Sequence, residues 1–300
     1  MSEERVLTGA ELEELAEKKL ARGPLFYETE SDHQEAMGDF YTVVAEAYKN
    51  SKQWKESGDA YCKASDWYKK SDPSDPSDPS DPSLEAGAYL KAAVSYRKCS
   101  TPYDHIHVVK ILIMMSVSME NYSKAADLQK DIALVYETEL DDLSTALSCY
   151  ETAAEFYTTE DSPATTRGCL AKAGSIAAML QLYESAIENF EKAAQESLMS
   201  FVTSTSFQLH CFSTGLCYLA LGVIARVRTS IGRYSCVDVC FGTTREMRFL
   251  NDMMDALDAG DAEQYTTVVM EYTDKFKLDH WKTSILLEIK NGMRDEDGLM

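Results

Sequence analysis

The sequence predicts an all-α fold built of paired helices, and three observations predict it. Helix breakers are scarce, with 14 Gly and 7 Pro in 300 residues, and four prolines sit in one tract at Pro73, Pro76, Pro79 and Pro82. The remainder is rich in Ala, Leu, Glu, Lys, Met and Tyr, so breakers are missing where helices require their absence. Strict alternation of apolar and polar residues, the mark of a half-buried strand, is almost absent. A spaced pattern also repeats: a large residue, then a small one three positions on, then an aromatic four further.

The pattern reads Trp54, Ser57, Tyr61, then Leu143, Ala146, Tyr150, then Tyr183, Ala186, Phe190. It is that of the first helix in a tetratricopeptide-like hairpin, where the small residue lets a neighbouring helix approach closely. Punctuation falls at Ser100-Thr101-Pro102, Met119-Glu120-Asn121, Leu140-Asp141-Asp142, Asp161-Ser162-Pro163, Leu180-Gln181 and around Ser200. Breaks roughly 20 residues apart make a two-helix unit of about 40. The expectation is a solenoid of such hairpins over residues 1–240, followed by a C-terminal helical bundle and acidic tail over 241–300. In such arrays each hairpin buries its apolar face against its neighbours, and the concave surface is a docking surface for proteins. The length alone accommodates one elongated domain or two compact ones.

Three segments depart from the repeat. Arg22-Gly23-Pro24 breaks the first helix and delivers Leu25, Phe26 and Tyr27 ahead of a polar run. Such residues either fold back onto adjacent helices or stand out to meet something apolar, and composition supports both equally. Residues 71–83 repeat Ser-Asp-Pro and close on Ser83. Proline at every third position forbids helix, so this reads as a disordered, acidic, tolerated insertion. Phe207 to Val227 is apolar enough to raise the question of a membrane span, but His210, Ser213, Thr214 and Arg226 interrupt it. A buried solenoid helix is the expectation.

A net charge of −21, from 29 Lys and Arg against 50 Asp and Glu, repels nucleic acid and anionic lipid at long range. Any acidic partner must therefore be met by a local basic patch, and nucleic acid is not an expected partner. Eight cysteines show no CxxC spacing, which points to free thiols in a reducing compartment. The opening Met1-Ser-Glu-Glu-Arg is charged and does not read as a signal peptide. No phosphate-binding, dinucleotide, zinc-protease or serine-hydrolase motif is present, so no enzyme, cofactor or metal is expected. His105 and His107, two apart, face different sides of a helix. Asp252, Asp255, Asp258 and Asp261 recur every third residue, and each step turns about 60° around a helix. A magnesium-dependent prenyl-transfer enzyme uses helix aspartates, but it needs a second acidic motif that Asp141-Asp142 is too slight to supply. A solvated or partner-facing acidic face is the reading that remains.

Four separated motifs carry a family resemblance. The helix pair from Val135 to Tyr157 contains Tyr136-Glu137-Thr138-Glu139-Leu140 and Tyr150-Glu151-Thr152-Ala153-Ala154. Lys52 to Cys62 fits a first hairpin, Leu278-Asp279-His280-Trp281 leads into Leu286-Leu287-Glu288-Ile289-Lys290, and the chain closes on Asp295-Glu296-Asp297-Gly298-Leu299-Met300. In these motifs, from about residue 10 to its end, the chain resembles the soluble NSF attachment proteins of the alpha type. The gamma branch matches less well, because this chain has an acidic tail with a penultimate leucine.

The resemblance implies an adaptor, not an enzyme. It would coat SNARE complexes, syntaxin-type and others, and recruit and stimulate an NSF-type AAA ATPase that disassembles them. Its place would be cytoplasmic, peripheral to vesicle, Golgi and other endomembranes. Three surfaces are implied. Lys52, Arg97, Lys98, Lys172 and Arg245 resemble the family's SNARE-binding basic strip, although Asp127 and Gly168 replace lysines, with Lys130 and Arg167 close by. Leu25, Phe26 and Tyr27 occupy the place of a membrane-contacting loop. Asp255 and Asp258 resemble ATPase-facing acids, and Leu299 the residue needed to stimulate hydrolysis, while Ala259 and Gly298 stand where the family has acids. The alternative is a generic tetratricopeptide adaptor that captures a carboxylate tail, which needs a clamp of basic and Asn side chains in one groove.

Overall fold

The computed structural model describes residues 7–25, 29–71, 82–199, 204–238 and 240–297. Among these residues there are only helices and turns. In chain order the α-helices are α1 Gly9–Arg22, α2 Glu30–Asn50, α3 Trp54–Lys70, α4 Pro82–Lys98, α5 Pro102–Ser118, α6 Tyr122–Thr138 and α7 Leu143–Thr159. They continue with α8 Pro163–Met179, α9 Tyr183–Met199, α10 Ser204–Ala220, α11 Ile224–Val237, α12 Arg245–Asp258, α13 Ala262–Thr273 and α14 His280–Asp297. The fold is the expected all-α, tetratricopeptide-like arrangement of helical hairpins. It divides into two compact units, Met1–Val135 and Tyr136–Met300.

One turn geometry is reused throughout. Lys52, Ser100, Glu120, Asp141, Asp161 and Gln181 all have φ between 50° and 61°, and Gly222 and Gly260 have 71° and 66°. At Glu120 the left-handed residue donates its N–H to Val117 O at 3.0 Å, and Asn121 donates to Ser116 O at 2.9 Å. The same pair of bonds recurs around Lys52, Asp161, Gln181, Gly222 and Gly260. This is the Schellman cap, which satisfies carbonyls left open at a helix end. The breaks expected at 100–102, 119–121, 140–142, 161–163 and 180–181 all fall in these turns. The expected single helix over Phe207 to Val227 is instead two: Gly222 adopts the left-handed conformation and Val223 donates to Tyr218 O, closing α10 before α11 starts. Among the described residues no helix is long and apolar enough to cross a membrane.

The acidic insertion is shorter than its composition suggests. Ser71 is the C-cap of α3, buried, with its hydroxyl donating to Tyr68 O at 2.7 Å. Pro82 and Ser83 open α4, where a proline loses nothing because the first helical N–H has no partner within the helix. Residues 72–81 lie outside the described residues.

In the unit Met1–Val135, α2 packs on α3, α3 on α4 and α4 on α5, each helix on the next in sequence. Small residues make the spacing possible. Ser57 is fully buried mid-stack, donating to Ala45 O on α2 at 2.9 Å and meeting the Ser95 hydroxyl on α4 at 3.3 Å. Tyr68 lies across Gly38 and Tyr96 across Gly58, so closely that a Cβ at either glycine would come within 2.5–2.6 Å of the ring. In both cases the residue after the glycine accepts the phenol's hydrogen bond: Tyr68 donates to Asp39 at 2.8 Å and Tyr96 to Asp59 at 2.6 Å. Burial and then the carboxylate hold these phenols neutral, with Tyr68 pushed up to about 12 and Tyr96 higher.

In the unit Tyr136–Met300, α7, α8, α9 and α10 also stack in sequence, and their large-small-aromatic positions behave as the repeat requires. Ala146 and Ala186 are fully buried, with Tyr150 and Phe190 packed in the core. After α10 the order changes. That helix contacts α11, α12 and α14, and α14 returns to touch α8. Aromatic rings fill the junctions: Phe190 stacks on Trp281 at 5.4 Å, Phe249 on Tyr272 at 4.1 Å, and Phe212 lies 6.1 Å from Phe249. Such pairs each add about 0.5–1.5 kcal/mol beyond the area they bury. Tyr265 donates to Leu286 O at 3.0 Å, and Tyr183 donates to Glu288, pinning α14 from both sides.

Candidate functional site

Three of the candidate basic residues lie in the first unit, at the end of the stack where α2 turns into α3 and α4 terminates. Lys52 is exposed at the left-handed turn position. Lys98, in the last turn of α4, places its ammonium 4.4 Å from the centre of the Trp54 ring at the first position of α3. Arg97 pairs with Asp131. Asp131 also meets Nε2 of buried His105 at 2.9 Å; burial raises its carboxyl, but the hydrogen bond with His105 and the charge of Arg97 outweigh that and hold it below the usual range. His107, by contrast, is exposed, so the two histidines do face opposite ways.

The other two lie in the second unit, each with a local acid. Lys172 pairs with Glu137 at 2.6 Å, and Glu137 also accepts from Tyr150 at 3.0 Å. Arg245 donates to Glu246 at 2.6 Å, and its guanidinium sits 4.0 Å above the Phe276 ring. Of the five basic residues expected to form the strip, Arg97, Lys172 and Arg245 have carboxylate partners. In each pair the basic side chain is exposed but the carboxylate is largely covered, so an acidic surface that draws the cation away must offset leaving that carboxylate unpaired. Their field at a distance is weaker than five isolated charges would produce.

Reading by motif missed the neighbours of Arg245. Arg248, Lys275 and Tyr272 line a 150 Å³ cleft with it between α12 and α13. Arg248 was detectable, since it follows Arg245 by three on the strongly amphipathic α12 and is exposed. Lys275 lies in the turn that follows α13, and only the packing of α12 on α13 brings it there.

The aspartate row does not form one face. Asp252, Asp255 and Asp258 are exposed on α12, where Asp258 pairs with Arg228 of α11. Asp261 has left the helix and caps α13, accepting from Glu263 N at 3.0 Å and Gln264 N at 2.8 Å. Among the described residues no group of three His, Cys, Asp or Glu can hold a metal ion. None of the eight cysteines forms a disulfide, and burial pushes the thiol of Cys217 up to about 12. Leu25 is exposed after the left-handed Gly23 that closes α1. Phe26, Tyr27 and Leu299 lie outside the described residues.

Comparison with known proteins bears on these surfaces. The family model described as "Soluble NSF attachment protein, SNAP" matches residues 7–294. The chain is 35% identical to the vesicular-fusion protein SEC17 of Coprinopsis cinerea, covering 95% of this chain and 96% of that protein. It is 31% identical to the probable vesicular-fusion protein sec17 homolog of Schizosaccharomyces pombe, over 87% and 88% of the two chains. With the alpha-soluble NSF attachment protein of Vitis vinifera it shares 29% identity over 98% and 97%.

Proposed function

The chain belongs to the soluble NSF attachment protein family, and on that premise we propose that it is a non-catalytic adaptor joining SNARE complexes to an NSF-type AAA ATPase in vesicle fusion. The observation that carries this reading is the family match across residues 7–294, together with relatives named for vesicular fusion and NSF attachment. Catalysis belongs to the ATPase; the adaptor supplies geometry.

Lys52 and Lys98 with Trp54 in one unit, and Lys172 and Arg245 with Arg248 and Lys275 in the other, meet the acidic SNARE bundle. Arg97 joins the first set by exchanging Asp131 for a SNARE carboxylate. In a chain of net charge −21 these patches act locally, within about 8–10 Å. Leu25, Phe26 and Tyr27 touch the bilayer, where burial of three such side chains supports weak, reversible attachment. Residues 241–300 carry the ATPase-facing end: Asp255 and Asp258 recruit the enzyme, and Leu299 stimulates it.

Pull-down with the ATPase in non-hydrolysable nucleotide, with and without SNARE complex, tests the reading. Capture of the ATPase that depends on SNARE complex supports it. Capture of neither partner, with binding of an isolated carboxylate-ended peptide instead, replaces it with the generic adaptor.

A further inference from the structure

The ends of α10 and α12, the turns that follow them and the last turns of α14 enclose a cleft of about 480 Å³, within the range of ligand-binding clefts. Its walls are apolar, with Leu219 and Ile224 on one side, Leu257 on a second and Met293 on the third. Glu288, the charged residue of the lining, is engaged with Tyr183 and Gln181.

Three glycines share the lining, and a Cβ added at Gly222, Gly260 or Gly292 would meet nothing within 4 Å. Gly222 and Gly260 each close a helix in the left-handed conformation, so the backbone itself calls for glycine there. Gly292 is different. It lies inside α14, where glycine weakens a helix, and its effect on the cleft is to leave room in it.

Gly298, Leu299 and Met300 follow α14 in the sequence, and they are long enough to reach this cleft. Met293 precedes the end of α14 at Asp297 by about one helical turn, roughly 6 Å along the axis. Two residues running back from a reversal span about 6.5 Å. A reversal there needs a left-handed residue, which Gly298 supplies without steric cost, as Gly23 does after α1 with φ of 71°. In a helix closed this way, the residue after the glycine packs on side chains about five or six positions back. Six positions before Leu299 stands Met293, in the cleft wall. Charge agrees with this occupant. The acidic run Asp295-Glu296-Asp297 leads into it, and α11 starts at the cleft-lining Ile224 with no side-chain cap and no acid in its first turn, which leaves the positive end of that helix for carboxylates.

We propose that Leu299 docks into this cleft of its own chain, against Met293 and Leu257. Burial of the leucine is opposed by the ordering of three residues, so docking is reversible. Its consequence rests on the function proposed above: a docked Leu299 is withheld from the ATPase until the enzyme draws the acidic run away.

The test is methyl NMR on the full chain, labelled at Met, Leu and Ile methyl groups. Leu299 methyls should show nuclear Overhauser contacts with Met293 and Leu257, unchanged over a roughly tenfold range of concentration because the contact is intramolecular. Gly292→Leu fills the space left by the glycine and should abolish these contacts, whereas Gly292→Ala adds one carbon and should keep them. Both replace a helical glycine, so neither should unfold at a lower temperature than wild type. Leu257→Glu, which charges the opposite wall, should abolish the contacts as well. Leu299 methyls without cleft contacts, contacts that survive Gly292→Leu and Leu257→Glu, or contacts that grow with concentration, as a second copy would give, overturn the proposal. In ATP turnover with SNARE complex, Gly292→Leu should reach half-maximal stimulation at about threefold lower concentration than wild type. An unchanged value overturns the withholding. Stimulation by a wild-type chain whose Leu299 never touches the cleft overturns this inference alone, and docking without stimulation overturns the proposed function alone.

Discussion

The helices α2 to α5 and the helices α10 to α14 solve the same problem, burying an apolar stripe on each helix, by different means. In the first set each helix leans on its sequence neighbour, and the contacts repeat: a tyrosine ring over a glycine, its hydroxyl on the next residue's carboxylate. In the second set one helix, α14, returns across more than 60 residues to α8 and α10, and the junctions are stacked rings without a repeated spacing. The difference teaches where cooperativity should lie. A serial stack can lose one interface and keep the others, whereas a returning helix ties several interfaces together.

Removing the ring that anchors the return should have the largest effect. Trp281→Ala is expected to cost about 3–5 kcal/mol, and hydrogen exchange should rise together in α8, α9, α10 and α14. Exchange confined to α14 would show that the return is not cooperative. In the serial stack, Gly58→Ala pushes a methyl into the Tyr96 ring and should cost about 1–3 kcal/mol. There the added exchange should stay within α3 and α4.

A pH titration sharpens the contrast. His210 stacks near Phe190 on α10, and burial, then Arg167 and Lys282, push its pKa down to about 4. The unfolded chain therefore binds the proton that the folded chain refuses, and stability should rise with pH between about 4 and 6.5. Against a His210→Gln chain, wild type should lose about 3 kcal/mol more stability as pH falls through that window. Parallel curves for the two chains would remove the histidine as the cause. The smallest effect belongs to the turns: Glu120→Gly relieves a left-handed non-glycine residue and should stabilise by about 0.5–1 kcal/mol in thermal or urea unfolding.

What was legible in the sequence follows the same division. The large-small-aromatic spacing and the breaks near every twentieth residue identified α3 and α5 to α9, because those signals are local and repeat. The Gly-Asp pairs at 38–39 and 58–59 were also in plain view, yet their meaning depends on Tyr68 and Tyr96 of other helices. The break at Gly222 was hidden inside an apolar run, where hydropathy shows no punctuation. For the site, residue types were readable and charge states of engagement were not: nothing in the spacing of Arg97, Lys172 or Arg245 announces that Asp131, Glu137 and Glu246 will meet them. Lys275 joined Arg245 only through the α12–α13 contact, whereas Arg248 was readable three residues on along α12.

The central claim is that this chain couples SNARE complexes to ATP hydrolysis by a partner enzyme. Steady-state ATP turnover by an NSF-type ATPase, with saturating SNARE complex and with wild-type or Leu299→Ala protein, tests it most directly. The account predicts that wild-type protein raises turnover, and that Leu299→Ala still recruits the ATPase through Asp255 and Asp258 without raising it. A single leucine can set the register that exposed charge pairs leave loose, so losing about 2–3 kcal/mol of apolar burial separates recruitment from stimulation. Turnover that wild-type protein leaves unchanged in the presence of SNARE complex would contradict the account.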